Sequence, residues 1–210
     1  LLDDSDEKFG DRTFLKFFRG GKIEERSYRT TRAHSLAVCR WIRSLNPQRM
    51  HVAFIAKTSY EYIVCLTGIL ISGNVAIPLS PEITAEEAAM LMKRADVDML
   101  LFDEEFAPKA ADAEKGANLM FSVNLGDAAA FDVIFQKYSD DSEFASLSNI
   151  KVDPDACAVM IYTSGTTGVK KGVMLSTRAL VGNVMYHDYI TDVFRPNDVA
   201  LSVLPMYHVY

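Results

Sequence analysis

Short apolar runs recur along this chain at a spacing that few architectures accept. "HVAFIA" (His51–Ala56), "VAIPLS" (Val75–Ser80), "DMLLFD" (Asp98–Asp103) and "NLMFSV" (Asn118–Val123) have the length and composition of buried strands. Helical patterns separate them. Ala33, Ala37, Trp41 and Leu45 fall on one helical stripe, and Thr58 with Glu61 and Thr84 with Glu87 have capping-box spacing at the start of two further helices. A chain that alternates strand and helix in this way buries its strands between layers of helices. The expected fold class is therefore α/β: mixed, largely parallel sheets flanked by helices. With 210 residues, 49% of them hydrophobic, the chain is long enough to build a sizeable core.

The pattern weakens from Glu104 to Asp141, which is rich in Ala, Asp and Lys and reads as surface helices with a loop around "YSDDSE". A second strand series begins at Ala156. The expected organisation is a first α/β subdomain over 1–138, a linker or seam at 139–154, and the start of a second α/β subdomain at 155–210. No internal repeat is visible.

Charge and cysteine usage narrow the function classes. The formal net charge of −6 gives no overall basic field to attract nucleic acid or an anionic membrane, so an anionic ligand must be held by local positive groups. Cys39, Cys65 and Cys157 lie far apart among apolar neighbours, with no metal or CxxC spacing, and read as small buried hydrophobes in a reducing compartment. The longest apolar stretch, Ile63 to Leu79, is broken by Gly68, Ser72, Gly73, Asn74 and Pro78, too often for a membrane span. The acidic start "LLDDSDEKFGD" is unlike a signal peptide, so a cytoplasmic location is expected. The missing first Met, and an end in "LSVLPMYHVY" that reads as a strand entering a loop, lead us to expect an N-terminal fragment of a longer protein.

The stretch "YTSGTTGVKKGV" (Tyr162–Val173) follows the apolar run "CAVMI". Its composition suits phosphate. Gly165, Gly168 and Gly172 allow close backbone approach, successive N–H groups can form an anion-binding concavity, Thr163, Ser164, Thr166 and Thr167 add hydroxyl donors, and Lys170 or Lys171 supplies charge. The preceding strand feeds the loop and "GVMLS" can return as a second strand. The spacing fits neither the Walker pattern nor GxGxxG. The residues alone leave a glycine- and threonine-rich hairpin open as the alternative.

The same stretch resembles the signature loop of the adenylate-forming superfamily of acyl-CoA synthetases, luciferases and peptide-synthetase adenylation domains. Its pattern is approximately [Y/S]-[T/S]-S-G-T-T-G-x-P-K-G-V. Lys170 stands where the family has proline, and Lys171 falls at the family lysine. Three further segments agree in order. "RSYRTTRAHSLAVCRWI" (Arg26–Ile42) resembles an early family segment in which a Ser/Thr-Tyr pair leads into a helix. "EYIVCLTGILISGNVAIPLSP" resembles the helix, Gly and strand that follow, and "LPMYHVY" resembles the next motif, with His208 at its histidine.

The resemblance implies ATP-dependent activation of a carboxylate as an acyl-adenylate, followed by transfer to a thiol, often that of coenzyme A. It implies that Thr163, Ser164, Gly165, Thr166, Thr167, Gly168 and Lys171 bind the phosphates, that Thr163 assists Mg²⁺, and that Lys171 and His208 are the catalytic residues. The partners it implies are ATP, coenzyme A and a small carboxylic acid, fatty or aromatic, because "LSVLPMYHVY" is most like acyl-CoA synthetases acting on such acids. Tyr186, Tyr189 and Phe194, in a helix opened by Ser176 or Thr177, are expected to pack in the core. His34, His51 and His187 are expected at the surface or in packing, and Asp3, Asp4, Asp6 and Glu7 in a solvated end. The family's remaining machinery is expected downstream of Tyr210, which makes these 210 residues alone catalytically incompetent. A non-catalytic nucleotide-binding or sensor module is the alternative function.

Overall fold

The computed structural model describes residues 2–139, 151–163, 170–191 and 198–207, with the backbone only over 187–191. Six strands form one sheet in the order β6-β5-β3-β4-β7-β8, where β3 is His51–Ile55, β4 Val75–Leu79, β5 Met99–Phe102, β6 Phe121–Asn124, β7 Cys157–Thr163 and β8 Lys171–Ser176. β3 to β7 pair in parallel and β8 returns antiparallel beside β7. All the strands expected from the apolar runs are present, within a few residues of the expected ends.

The central strands β3, β4 and β5 are covered on both faces, which is why they read as continuous apolar runs instead of alternating ones. On one face Val52 and Phe54 pack with helices α2 (Tyr28–Leu45), α3 (Tyr60–Ile71) and α6 (Ala128–Lys137). On the other, Ala53, Ile55 and Ile77 pack with α4 (Ala85–Arg94) and α5 (Ala107–Glu114). α2 and α3 approach closely at Gly68, where an added Cβ would lie 2.8 Å from the Ser35 carbonyl and 2.7 Å from Val38 Cγ1. The expected stripe of α2 lies at the margin of its buried face. Ala37 is fully buried, whereas Ala33, Trp41 and Leu45 are half-buried, and the centre of the contact runs through Leu36, Val38, Cys39 and Ile42.

Caps set where these helices begin. Ser27 accepts a hydrogen bond from the Thr30 N–H and opens α2, so the Ser-Tyr pair does lead into a helix. Thr84 accepts from the Glu87 N–H, as its spacing predicts. The other expected box shifts by one residue: Ser59, not Thr58, caps α3, and the Glu61 carboxylate is taken by Arg19 at 2.6 and 2.8 Å.

Two elements were not expected. α1 (Leu2–Phe9) carries the acidic end, whose Asp3 and Asp6 pair with Arg32 and Arg29. A separate hairpin, β1 (Thr13–Arg19) and β2 (Lys22–Ser27), turns through Gly20 and Gly21 at φ 55° and 80°, the positive angles a two-residue hairpin turn of this hand requires. Ser176 accepts from the Ala179 N–H at the start of α7 (Thr177–Thr191). Tyr186 on that helix is 65% exposed instead of packed in the core. Tyr189's side chain and Phe194 lie outside the described residues. Among the described residues, no helix is long and apolar enough to cross a membrane.

Candidate active site

β7 and β8 are the two arms of the hairpin that carries the glycine-hydroxyl-lysine stretch. Their ladder runs from Cys157↔Ser176 to Thr163↔Lys171, so the last residue of one arm faces the first of the other. Directly opposed residues of an antiparallel pair sit with side chains on the same face and Cβ atoms roughly 5 Å apart. Thr163 and Lys171 are therefore brought together at the mouth of the connection, and both are exposed. Among the described residues Lys171 makes no ion pair. Gly172 faces Tyr162, and a Cβ there would come 3.3 Å from Tyr162 Cε1 and 3.4 Å from Met160 Sδ, so a side chain would be crowded. Ser164, Gly165, Thr166, Thr167 and Gly168 lie outside the described residues, as does His208.

The hairpin opens beside β4, the parallel neighbour of β7. β4 and β7 share a single register pair, Ala76↔Val159. Two residues further along β4 stands Pro78, buried in the strand and opposite Phe54 of β3. Proline has no N–H to give to a ladder, and no register pair joins β4 to β7 beyond Ala76↔Val159. A cavity of about 410 Å³ lies at this end of the two strands, lined by Pro78, Ser80, Ile161, Tyr162, Thr163 and Lys170 among others. It lies beyond the carboxyl ends of β4 and β7. The neighbouring connections β3–α3 and β4–α4 leave toward opposite faces there, the place where open parallel sheets bind ligands.

The segment that precedes His208 reaches the same cavity. The Met206 N–H donates to Thr58 Oγ1 at 3.1 Å, just past the end of β3, and Tyr207 lines the cavity wall. Two stretches some forty residues apart in sequence, each matched to a family motif, thus meet at one opening. Nothing in the apolar pattern of "VAIPLS" marked Pro78 as a residue that lines this opening. Its signal was a proline inside a run otherwise fit for a central strand.

The electrostatics at the mouth are asymmetric. Lys170 Nζ pairs with Glu87 Oε1 at 2.8 Å, and Arg94 Nη1 donates to the Lys170 carbonyl at 3.1 Å. Tyr162 donates to the Leu91 carbonyl at 3.3 Å and its phenol is pushed up by burial. Among the described residues Lys171, opposite Thr163 at the opening, has no carboxylate partner. This set suits a phosphate chain: a hydroxyl and an ammonium across a hairpin mouth, with a cavity beside them. Among the described residues no group of three His, Cys, Asp or Glu side chains could hold a metal ion, so a cation here would depend on ligand oxygens with one or two protein groups.

The other candidates play no part at this opening. His34 stacks on Phe135 at 3.8 Å between ring centres and meets the Tyr60 hydroxyl at Nδ1, 2.8 Å away; burial lowers its pKa to about 4. His51 Nδ1 contacts the Ala95 carbonyl. His187's side chain is outside the described residues. All three cysteines are free thiols, and burial raises that of Cys39 to about 11, so it is inert.

Comparison with known proteins identifies the family. The sequence profile described as "AMP-binding enzyme" matches residues 2–210. A malonate–CoA ligase of Arabidopsis thaliana is 29% identical over 161 residues, 76% of this chain and 26% of that protein. 4-Coumarate–CoA ligase 2 of Petroselinum crispum is 25% identical over 210 residues, 97% of this chain and 37% of that protein. The chain thus spans well under half the length of these curated relatives. Among solved structures, apo MatB from Rhodopseudomonas palustris superposes with a TM-score of 0.71 at 27% identity, covering 88% of this chain and 36% of that one. The N-terminal domain of FACL13 from Mycobacterium tuberculosis gives 0.80 at 19% identity, covering 99% of this chain and 50% of that one, a likeness of fold.

Proposed function

Because the chain belongs to the family of AMP-binding enzymes, we propose that it is the ATP- and pyrophosphate-handling part of an AMP-forming acid–thiol ligase. In this reading a carboxylate is activated as its acyl-adenylate and then passed to the thiol of coenzyme A. The observation that carries the reading is the opposition of Thr163 and Lys171 at the mouth of the β7–β8 hairpin, beside a cavity that Thr163 itself lines.

The chemistry explains the choice of residues. A carboxylate oxygen attacks the α-phosphorus of ATP, the bond to the bridging oxygen breaks, and pyrophosphate departs. Nucleophile and electrophile are both anionic, so the protein contributes position and neutralising charge. Thr163, Ser164, Gly165, Thr166, Thr167 and Gly168 hold the β- and γ-phosphates with hydroxyl and backbone donors. The Lys171 ammonium takes up charge on the departing pyrophosphate. His208 stands by the reacting carboxylate and α-phosphate, on the segment that Met206 ties to Thr58. The Thr163 hydroxyl would help to hold Mg²⁺, which would supply neutralising charge to the phosphate oxygens. The acid is fatty or aromatic and the work cytoplasmic. A malonate–CoA ligase and 4-coumarate–CoA ligases among the relatives support carboxylic acids as the class without choosing a member.

The test is carboxylate-dependent exchange of labelled pyrophosphate into ATP by the full-length protein. The panel runs from acetate through malonate and long fatty acids to cinnamates and amino acids. Exchange with one class identifies both reaction and substrate. No exchange with any acid, from folded protein with Mg²⁺ present, refutes the reading.

A further inference from the structure

The two adjacent lysines of the hairpin are equivalent in the sequence but not in the structure. Lys170 lies one residue before the first ladder pair, Thr163↔Lys171, so strand hydrogen bonds do not fix its backbone. Two side chains of α4 do. Glu87, in the first turn of that helix, pairs with the Lys170 ammonium at 2.8 Å, and Arg94, in the last turn, donates to the Lys170 carbonyl at 3.1 Å. Positions i and i+7 lie on one face of a helix, two turns apart. One face of α4 thus grips one residue at two points.

The grip has the qualities of a positioning device. Its anchor is rigid, because α4 is capped by Thr84 and buries Ala88, Leu91 and Met92 against the sheet. The paired side chains are partly shielded, 26% and 31% exposed, which protects the attraction from full screening. Glu87 also neutralises Lys170, so of the two lysines it is Lys171, with no carboxylate partner among the described residues, that presents its charge at the mouth. In the family pattern a proline stands here, and its fixed φ restrains the chain from within. In this chain the restraint comes from outside.

We propose that Lys170 is a positioning residue, whose ion pair with Glu87 fixes the start of β8 and thereby holds Lys171 opposite Thr163. The proposal rests on the reading of this hairpin as the phosphate-binding element. Lys170 touches no phosphate; its effect reaches the ligand through the backbone it shares with Lys171.

The test uses the full-length protein and four variants: Glu87→Gln, Lys170→Met, the two together, and the charge swap Glu87→Lys with Lys170→Glu. In pyrophosphate exchange, each single change raises the KM for ATP about fivefold and alters kcat by less than about twofold, the size of a partly shielded ion pair. The double variant is no worse than either single, and the swap recovers most of the loss. Amide hydrogen exchange over residues 170–173 of the ligand-free protein follows the same order, faster in the singles and slowed again in the swap. Additive losses, a swap as poor as the singles, or an unchanged Glu87→Gln beside an impaired Lys170→Met each overturn the proposal, the last by making Lys170 a direct ligand. If the unmodified protein exchanges no pyrophosphate, the proposed function falls while the hydrogen-exchange series still decides whether the grip exists.

Discussion

Gly68→Ala sets two effects of known size against each other. Gly68 sits inside α3, where alanine is favoured over glycine by about 1 kcal/mol on helix propensity alone. An argument confined to the helix predicts that the variant is more stable. The packing argues the reverse. A Cβ at this position would meet Val38 Cγ1 at 2.7 Å, Val38 Cβ at 2.8 Å and the Ser35 carbonyl oxygen at 2.8 Å. The valine methyl can be displaced by a rotamer change, but the carbonyl belongs to the backbone of α2 and moves only if the helix moves. Ser35, Val38 and Ile42 are all fully buried, so α2 has little room to retreat. Overpacking of this kind costs about 1–3 kcal/mol, and backbone involvement places this case in the upper half. The net expectation is a loss of about 1–2 kcal/mol, seen in urea unfolding as a lower midpoint at unchanged slope. Gly68→Ser should lose at least as much. A Gly68→Ala protein more stable than the unmodified one would refute the claim that close backbone approach of α2 and α3 sets the spacing of this layer.

Three other perturbations test different parts of the account. Lys171→Ala should cut pyrophosphate exchange about 100-fold or more, as loss of a preorganised charge contact does, while shifting stability by less than about 0.5 kcal/mol because the side chain is exposed. Glu61→Gln should destabilise by about 1 kcal/mol in thermal unfolding, because the carboxylate is nearly buried while its partner Arg19 is partly solvated. His34 ties stability to pH with a defined sign. Its folded pKa, near 4, lies below its unfolded value of 6.5, so between these values the unfolded chain binds the extra proton. Stability should fall as pH drops from 6.5 toward 4, and His34→Gln should remove that part of the slope. An equally steep slope in the variant would assign it to other groups.

The sheet was legible from the sequence because burial on both faces leaves an apolar run with no competing period, as in His51–Ile55 and Val75–Leu79. The β1–β2 hairpin was not, because its strands are mostly exposed and β2 is largely charged, although Gly20-Gly21 is the expected signal for such a turn. Thr58 and Ser59 both satisfy capping chemistry. A long-range partner decided between them, since Arg19, far away in sequence, claims Glu61. Tyr186 was misplaced for a related reason: its helix follows the hairpin on a side where the described residues provide no cover, and Val184 and Met185 are exposed beside it. At the candidate site, the order of residues identified the hairpin, but not the geometry around it. That Pro78 lines a cavity beside the hairpin, and that Glu87 serves Lys170 as well as its own helix start, depend on which strands and helices become neighbours.

The central claim is that a carboxylate attacks the α-phosphorus of ATP at this hairpin, and isotope transfer tests it most directly. The full-length protein, supplied with ATP, Mg²⁺, coenzyme A and a turned-over acid carrying ¹⁸O in its carboxylate, should release AMP with one ¹⁸O atom and unlabelled pyrophosphate. Label in inorganic phosphate with formation of ADP would place the attack on the γ-phosphorus and contradict the account.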